Sequence, residues 1–167
     1  MRQRTENNAA VRQAVEDDIA ELQRLRAMLF DDLGGDFFDP ASGGDDWLGA
    51  LAVVLKEQLS ANSGTDAVRI LVVDGGSGLA ACGIGTIEQR LPGPHLSNGR
   101  IGQVIGVVTD PGYRRLGHSR SIMQELLGWF RERDVARVDL YASCEGEPLY
   151  RELGFTDHPD PSLYWRP

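Results

Sequence analysis

Val107-Val108-Thr109-Asp110-Pro111-Gly112-Tyr113-Arg114-Arg115-Leu116-Gly117-His118-Ser119 is the most informative stretch of this chain. A β-branched run breaks at the pre-proline residue Asp110 and enters a loop with two arginines and a glycine. A helical pattern begins at once. The N–H groups of a helix's first turn have no internal acceptors, and the helix dipole adds positive potential there. Strand, tight loop and helix in that order can therefore hold a phosphate. Gly117 lets an anion approach the backbone without a Cβ in the way, and Ser119 is small with a hydroxyl to donate.

Downstream, Ile122, Met123, Leu126, Leu127 and Phe130 give a helix from about Gly117 to Arg133 one apolar stripe. Arg137 to Ala142 reads as a strand. Glu147 to Leu153 reads as a short helix closed by Gly154 at the C′ position, and Leu163-Tyr164-Trp165 as a final strand. Upstream, Ala10 to Ala14 is an opening strand. Asp17 or Asp18 caps a helix running to about Leu33, with Ile19, Leu22, Leu25 and Leu29 at helical spacing. A loop rich in Gly and Asp, Gly34 to Asp46, leads to a second amphipathic helix marked by Trp47, Leu48, Leu51, Leu55 and Leu59. Val68 to Val73 is a strand ending in the turn Asp74-Gly75-Gly76, Leu79 to Glu88 is its hairpin partner, and Ile101 to Thr109 is a third strand. A strand-helix-strand crossover joins parallel strands. The sheet is therefore expected to be mixed, antiparallel at first and parallel around Val104–Val108 and Val138–Tyr141.

Composition narrows the function classes. The 167 residues suit one domain, and 41% hydrophobic content is ordinary for a globular protein. A net charge of −8 disfavours a nucleic-acid partner. No apolar run is long enough for a membrane span, and the polar N-terminus does not read as a secretory signal. Cys82 and Cys144 suggest neither a disulfide framework nor a metal site, so a cytoplasmic setting is expected. His95, His118 and His158 are scattered, with no zinc-type spacing.

Arg114 to Ser119 resembles motif A of the GNAT acetyltransferases, Gln/Arg-x-x-Gly-x-Gly/Ala, with Ser119 as the one departure. Val107 to Tyr113 resembles the strand and turn that lead into it. Leu149-Tyr150-Arg151-Glu152-Leu153-Gly154-Phe155 resembles the family's motif B, Leu-Tyr-x-x-x-Gly-Phe. The close resemblance covers roughly Ile101 to Phe155; the N-terminal half agrees in element order. It implies an α/β (α+β) fold over residues 1–167 as a single domain. That fold is a mixed, mostly antiparallel sheet with a parallel central pair, flanked by about four helices.

The resemblance also implies the chemistry: an acetyl group passes directly from acetyl-coenzyme A to a primary amine. Pantetheine would run along Gln103 to Thr109 and bond the backbones of Val107 and Thr109, with Gly106 marking a bulge that opens the gap. The pyrophosphate would take N–H groups from Arg115, Leu116, Gly117, His118 and Ser119, helped by the forked side chain of Arg114 or Arg115. Val108 N–H would face the thioester carbonyl as an oxyanion donor. Tyr150 would protonate the departing thiolate, and Ser143 stands where relatives carry a polar cofactor contact.

The general base is the gap in this scheme. At pH 7 a primary amine of pKa ~10.4 is neutral in about one part in 2,500, so a proton must be removed. Some relatives carry Glu at the position held here by Gln103. Glu88 on the neighbouring strand is the candidate base, and Asp31, Asp32 and Asp36 are candidates for the acceptor mouth. The carboxylates from Asp31 to Asp46 point to a cationic small-molecule amine such as a polyamine or aminoglycoside. Two alternatives stand beside this reading: a non-catalytic acyl-coenzyme A sensor, and an acetyltransferase of protein or peptide N-termini. A homodimer is common in the family, and no metal is expected.

Overall fold

The computed structural model describes residues 10–33, 46–61 and 67–167. Five strands form one sheet in chain order: β1 (Val11–Gln13), β2 (Val68–Gly75), β3 (Gly78–Gln89), β4 (Arg100–Thr109) and β5 (Arg137–Leu140). All neighbours are antiparallel except β4 and β5, which run parallel as a crossover connection requires. That crossover is α3 (His118–Glu132). Helices α1 (Ile19–Leu33) and α2 (Asp46–Ala61) precede β2, and α4 (Glu147–Glu152) follows β5.

Each face of the sheet has its own core. On one, the α3 stripe of Ile122, Met123, Leu126, Trp129 and Phe130 covers Leu71, Val73, Ala81 and Val104. The sheet is bare of side chains where that stripe comes closest: a Cβ on Gly102 would lie 2.6 Å from Phe130. On the other face, Leu22 and Leu25 of α1 and Leu55 of α2 cover Ile70, Val72, Cys82, Ile84 and Val108. Full burial of one such side chain contributes about 1.5–3 kcal/mol.

Two features of β4 position the functional site. Gly106 has φ +65°, and the β3 register slips there: Cys82 faces Val108, whereas Ile84 faces Ile105. This is a bulge, with Gly106 as the extra residue. Parallel pairing with β5 runs only from Ile101↔Arg137 to Val104↔Leu140 and ends just before the bulge. The expected parallel stretch at Val104–Val108 is therefore displaced toward the start of β4, and β5 stops at Leu140 instead of Ala142.

Other expectations also shift. Asp18 does not cap α1 from its N-cap position; it sits in a 3₁₀ turn (Glu16–Asp18), where its carboxylate accepts from Val15 N–H at 2.8 Å and from Arg12. Leu163, Tyr164 and Trp165 form no strand and are 90%, 80% and 83% exposed. Pro159, Pro161 and Pro167 crowd this short tail and remove the N–H donors that a ladder needs. With no strand beyond it, β5 lies at the sheet edge. The Gly34–Asp46 loop lies outside the described residues except for its last position.

Candidate active site

Hydrogen-bond parity along β4 decides which backbone groups are available. Antiparallel partners exchange hydrogen bonds at alternate pairs. Arg90 N–H donates to Gly99 C=O at 2.7 Å, so Ile101, Gln103 and Ile105 turn their backbone groups toward β3. Ala136 N–H donates to Arg100 C=O at 3.0 Å, which places Arg100, Gly102 and Val104 on the β5 side. The bulge inverts this order. Beyond it, Asp110 N–H donates to Ala80 C=O at 2.8 Å, so Val108, two residues earlier, also faces β3. Val107 and Thr109 then face the open edge where β5 has left.

This overturns one expectation. Val108 is buried and its N–H points toward Cys82 on β3, away from the open edge. The donor beside the gap is Val107 N–H. The reason is the extra residue at Gly106, which exchanges the two edges for every later position.

A cleft of about 590 Å³ opens along that edge. Val107, Val108 and Thr109 form its floor, Leu29 flanks it, and Ser143, Cys144, Glu145, Leu149 and Tyr150 close the far wall. Its other end is the loop before α3. Gly117 is the N-cap with φ +81°, and Arg115 has φ +64°. The first helical hydrogen bond is Ser121 N–H to Gly117 C=O at 3.0 Å. Among the described residues, no backbone N–H from Arg115 to Arg120 has a protein acceptor. Thr109 and Ser119 join their hydroxyls at 2.7 Å, tying the end of β4 to the first turn of α3.

A clamp holds this loop in place. Glu21 accepts from Leu79 N–H at 2.8 Å and from Arg24 at 2.7 Å. Arg24 Nη1 donates to Asp110 at 2.6 Å, and Asp110 accepts from Gly112 N–H at 2.9 Å. Pairing with Arg24 holds the Asp110 carboxyl below its ordinary range. Tyr113 Oη accepts from Gly76 N–H at 2.7 Å and fixes the loop to the β2–β3 turn. Sequence patterns did not single out Glu21, Arg24 or Tyr113, because their partners lie far away in the chain.

Tyr150 is 9% exposed and lines the cleft, and its hydroxyl has no protein partner among the described residues. Burial raises its pKa, which keeps the phenol protonated at neutral pH. His118 is also buried at the loop end, and burial lowers its pKa, favouring the neutral ring. Arg114 donates weakly to Thr109 C=O at 3.5 Å and stands 3.9 Å from Glu145. Arg115 and Arg120 line the same end. Ser143 reaches the cleft, but its Oγ accepts from Gly146 N–H at 3.1 Å and so supports the turn into α4. Leu116 is 53% exposed and does not line the cleft, which leaves its N–H as its only means of contact.

Glu88 is not brought to this cleft. It pairs with Ile101 at the far end of β4, roughly 25 Å from Thr109 at ~3.3 Å per residue, and forms an exposed ion pair with Arg90. Asp31 is exposed and outside the lining. The Asp32 side chain and Asp36 lie outside the described residues. Glu145 is the only carboxylate lining the cleft among the described residues, with a side chain 83% exposed. No described helix is long and apolar enough to cross a membrane.

Chemically, the cleft can take a diphosphate on its loop end and an extended amide chain along Val107 and Thr109. It offers an N–H donor at the bulge and a protonated phenol opposite. Residues 26–155 match the acetyltransferase (GNAT) family. The chain is 29% identical over 80 residues to the histone acetyltransferase TAP1 of Glycine max, a match covering 47% of this chain and 33% of that protein. It thus spans about a third of the length of the curated relatives it first matches. Among solved structures, it resembles an acetyltransferase of Clostridium acetobutylicum determined with acetyl-CoA, at 21% identity and TM-score 0.78, covering 93% of this chain and 94% of the other. It also resembles the glucosamine-6-phosphate N-acetyltransferase of Arabidopsis thaliana, at 18% identity and TM-score 0.67, covering 93% and 97%. At these identities the structural likeness shows the fold.

Proposed function

This chain belongs to the GNAT family of acetyltransferases, and from that membership we propose that it moves an acetyl group from acetyl-CoA directly to a primary amine on a small molecule. The observation that carries the reading is the meeting of two unsatisfied backbone surfaces in one cleft. One is the open edge of β4 beyond Gly106; the other is the run of free N–H groups from Arg115 to Arg120. Backbone donors without protein partners, gathered at the rim of one cleft, are suited to a ligand that completes them.

In this proposal Val107 and Thr109 hold the pantetheine amides as a neighbouring strand would. The N–H groups of Arg115, Leu116, Gly117, His118 and Ser119 hold the pyrophosphate, with Arg114 and Arg115 supplying charge. Val107 N–H, in place of Val108, donates to the oxyanion that develops as the amine nitrogen bonds to the carbonyl carbon. The carbon–sulfur bond breaks, and Tyr150 gives its proton to the leaving thiolate. The proton lost by the amine leaves through water, because no carboxylate other than the exposed Glu145 borders the cleft among the described residues. A single catalytic domain over residues 1–167 is part of the proposal.

A small acceptor is supported by how α1 and α2 close together. Phe30 meets Trp47 edge-on at 5.5 Å, and Gln23 donates to Leu48 C=O at 2.8 Å, so the two helices are packed together beside Leu29, which lines the cleft. The sensor alternative draws on Gln103, which faces Thr86 where a base could stand. Calorimetry with coenzyme A, followed by thiol release from acetyl-CoA with small amines and N-terminal peptides, tests the proposal. Micromolar uptake with amine-dependent release is expected. No uptake by folded protein would sink the reading; uptake without release for any amine or peptide would favour the sensor.

A further inference from the structure

We infer that the acceptor amine carries an anionic oxyacid group, a carboxylate or a phosphate ester, and that Arg26 binds it. The inference rests on the acetyl-transfer reading and assigns the substrate class of the same cleft.

Arg26 does not itself line the cleft; it lies one turn of α1 before Leu29, which does, and before Phe30, so the three share a helix face at the cleft's border. That face lies on the bulge. A Cβ built on Gly106 would be 3.3 Å from Arg26 Nη1, so the guanidinium fills the space that the missing side chain leaves. The next residue along β4, Val107, is the one whose N–H faces the gap.

Among the described residues, no carboxylate pairs with Arg26. It is partly buried, and among the described residues it has no hydrogen bond and no ion pair; its one contact of that kind is stacking over the Phe30 ring at 5.0 Å. Several other partly covered arginines are paired. Arg12 holds Asp18 and Asp74, Arg24 holds Glu21 and Asp110, and Arg137 holds Asp139. Arg69, also half-buried and stacked on Trp129, has no carboxylate partner among the described residues either, but it stands on β2 and outside the cleft, whereas Arg26 stands at the bulge. Arg26 acts on the Cys82 thiol, which burial pushes up to about 12, so that thiol stays neutral and donates to Gly106 C=O at 3.6 Å. Arg24, the other cation acting on that thiol, is already neutralised by its own carboxylates.

A planar guanidinium fork, stacked on an aromatic ring and half withdrawn from water, suits a bidentate oxyanion. It opposes a polyamine, the acceptor suggested by the acidic stretch Asp31–Asp46. The amine of an anionic acceptor would then reach Val107 while its acid group rests on Arg26.

Two measurements test this. In the coenzyme A complex, the Arg26 side-chain N–H signal, identified by its loss in Arg26→Gln, is followed by NMR. It should shift saturably with propionate or methyl phosphate, whichever group is recognised, and stay still with propionamide. In thiol release, amino acids or phosphoethanolamine should exceed their neutral amides, ethanolamine and spermidine by at least about tenfold in kcat/KM. Arg26→Gln should erase that preference by about 10- to 100-fold, mainly through KM, while coenzyme A affinity is unchanged. Arg26→Lys, which keeps the charge, should retain part of it. A silent Arg26 signal in the coenzyme A complex, or a panel led by spermidine, overturns the inference and leaves acetyl transfer standing. Failure to bind coenzyme A removes acetyl transfer itself.

Discussion

The two halves of β4 each carry one glycine and have opposite uses. From Arg100 to Val104 the strand is paired on both edges, by β3 and β5, and Gly102 lies under Phe130. From Gly106 to Thr109 it is paired with β3 alone, and its free edge faces the cleft. One glycine separates a structural ladder from a chemical one. A sheet can offer a ligand backbone hydrogen bonds only where its own pairing stops, and the bulge both stops it and re-aims the groups beyond.

Gly106→Val attacks that division most directly. The new side chain faces a positive φ and meets Arg26, so the bulge must shift. Turnover should fall by about 10²–10³-fold, the usual cost of losing an oxyanion donor. Unchanged turnover in thiol-release kinetics would show that the open half does not depend on the bulge. Tyr150→Phe should lower kcat by about 10- to 100-fold, with coenzyme A affinity by calorimetry unaltered. Because burial raises the Tyr150 pKa, the acid form persists as pH rises, and kcat in the native enzyme should not fall through tyrosine ionisation until above pH ~10.

The closed half should respond in stability instead. Gly102→Ala drives a methyl against Phe130 and should cost about 1–3 kcal/mol in denaturant unfolding, with kcat of the folded fraction unchanged. A kcat loss equal to that of Gly106→Val would erase the distinction between the halves. The smallest effect is expected at Glu88→Gln, which alters an exposed ion pair at the closed end: kcat/KM should stay within about twofold. A large loss there would restore Glu88 as a base and require β4 to be arranged differently.

Much of this was legible from local pattern. The α3 stripe, the β2–β3 hairpin and the loop closed by Gly117 announce themselves within a few residues. Gly106 was expected to mark a bulge only through the family resemblance, since a glycine in a strand can equally stand in a regular ladder, as Gly102 does. Its consequence was not: reading Val108 as the oxyanion donor assumes an unbroken alternation, and one inserted residue exchanges the edges. Glu88 was placed on the right strand but at the wrong end, since distance along a ladder depends on register. The tail Leu163-Tyr164-Trp165 looked like a strand by composition, yet its flanking prolines leave it unpaired.

The amino-acid order by itself determined most of the elements, their succession, the crossover that makes β4 and β5 parallel, and the glycine turn into α3. These depend on side-chain periodicity and on backbone preferences that act over a turn or two. Tertiary structure alone decided which edge of β4 is open, that Arg24 and Glu21 clamp the loop through Asp110, and that Arg26 covers the bulge. Those outcomes depend on register and on contacts between distant segments, where shifting a strand by one residue reverses the direction of every group that follows.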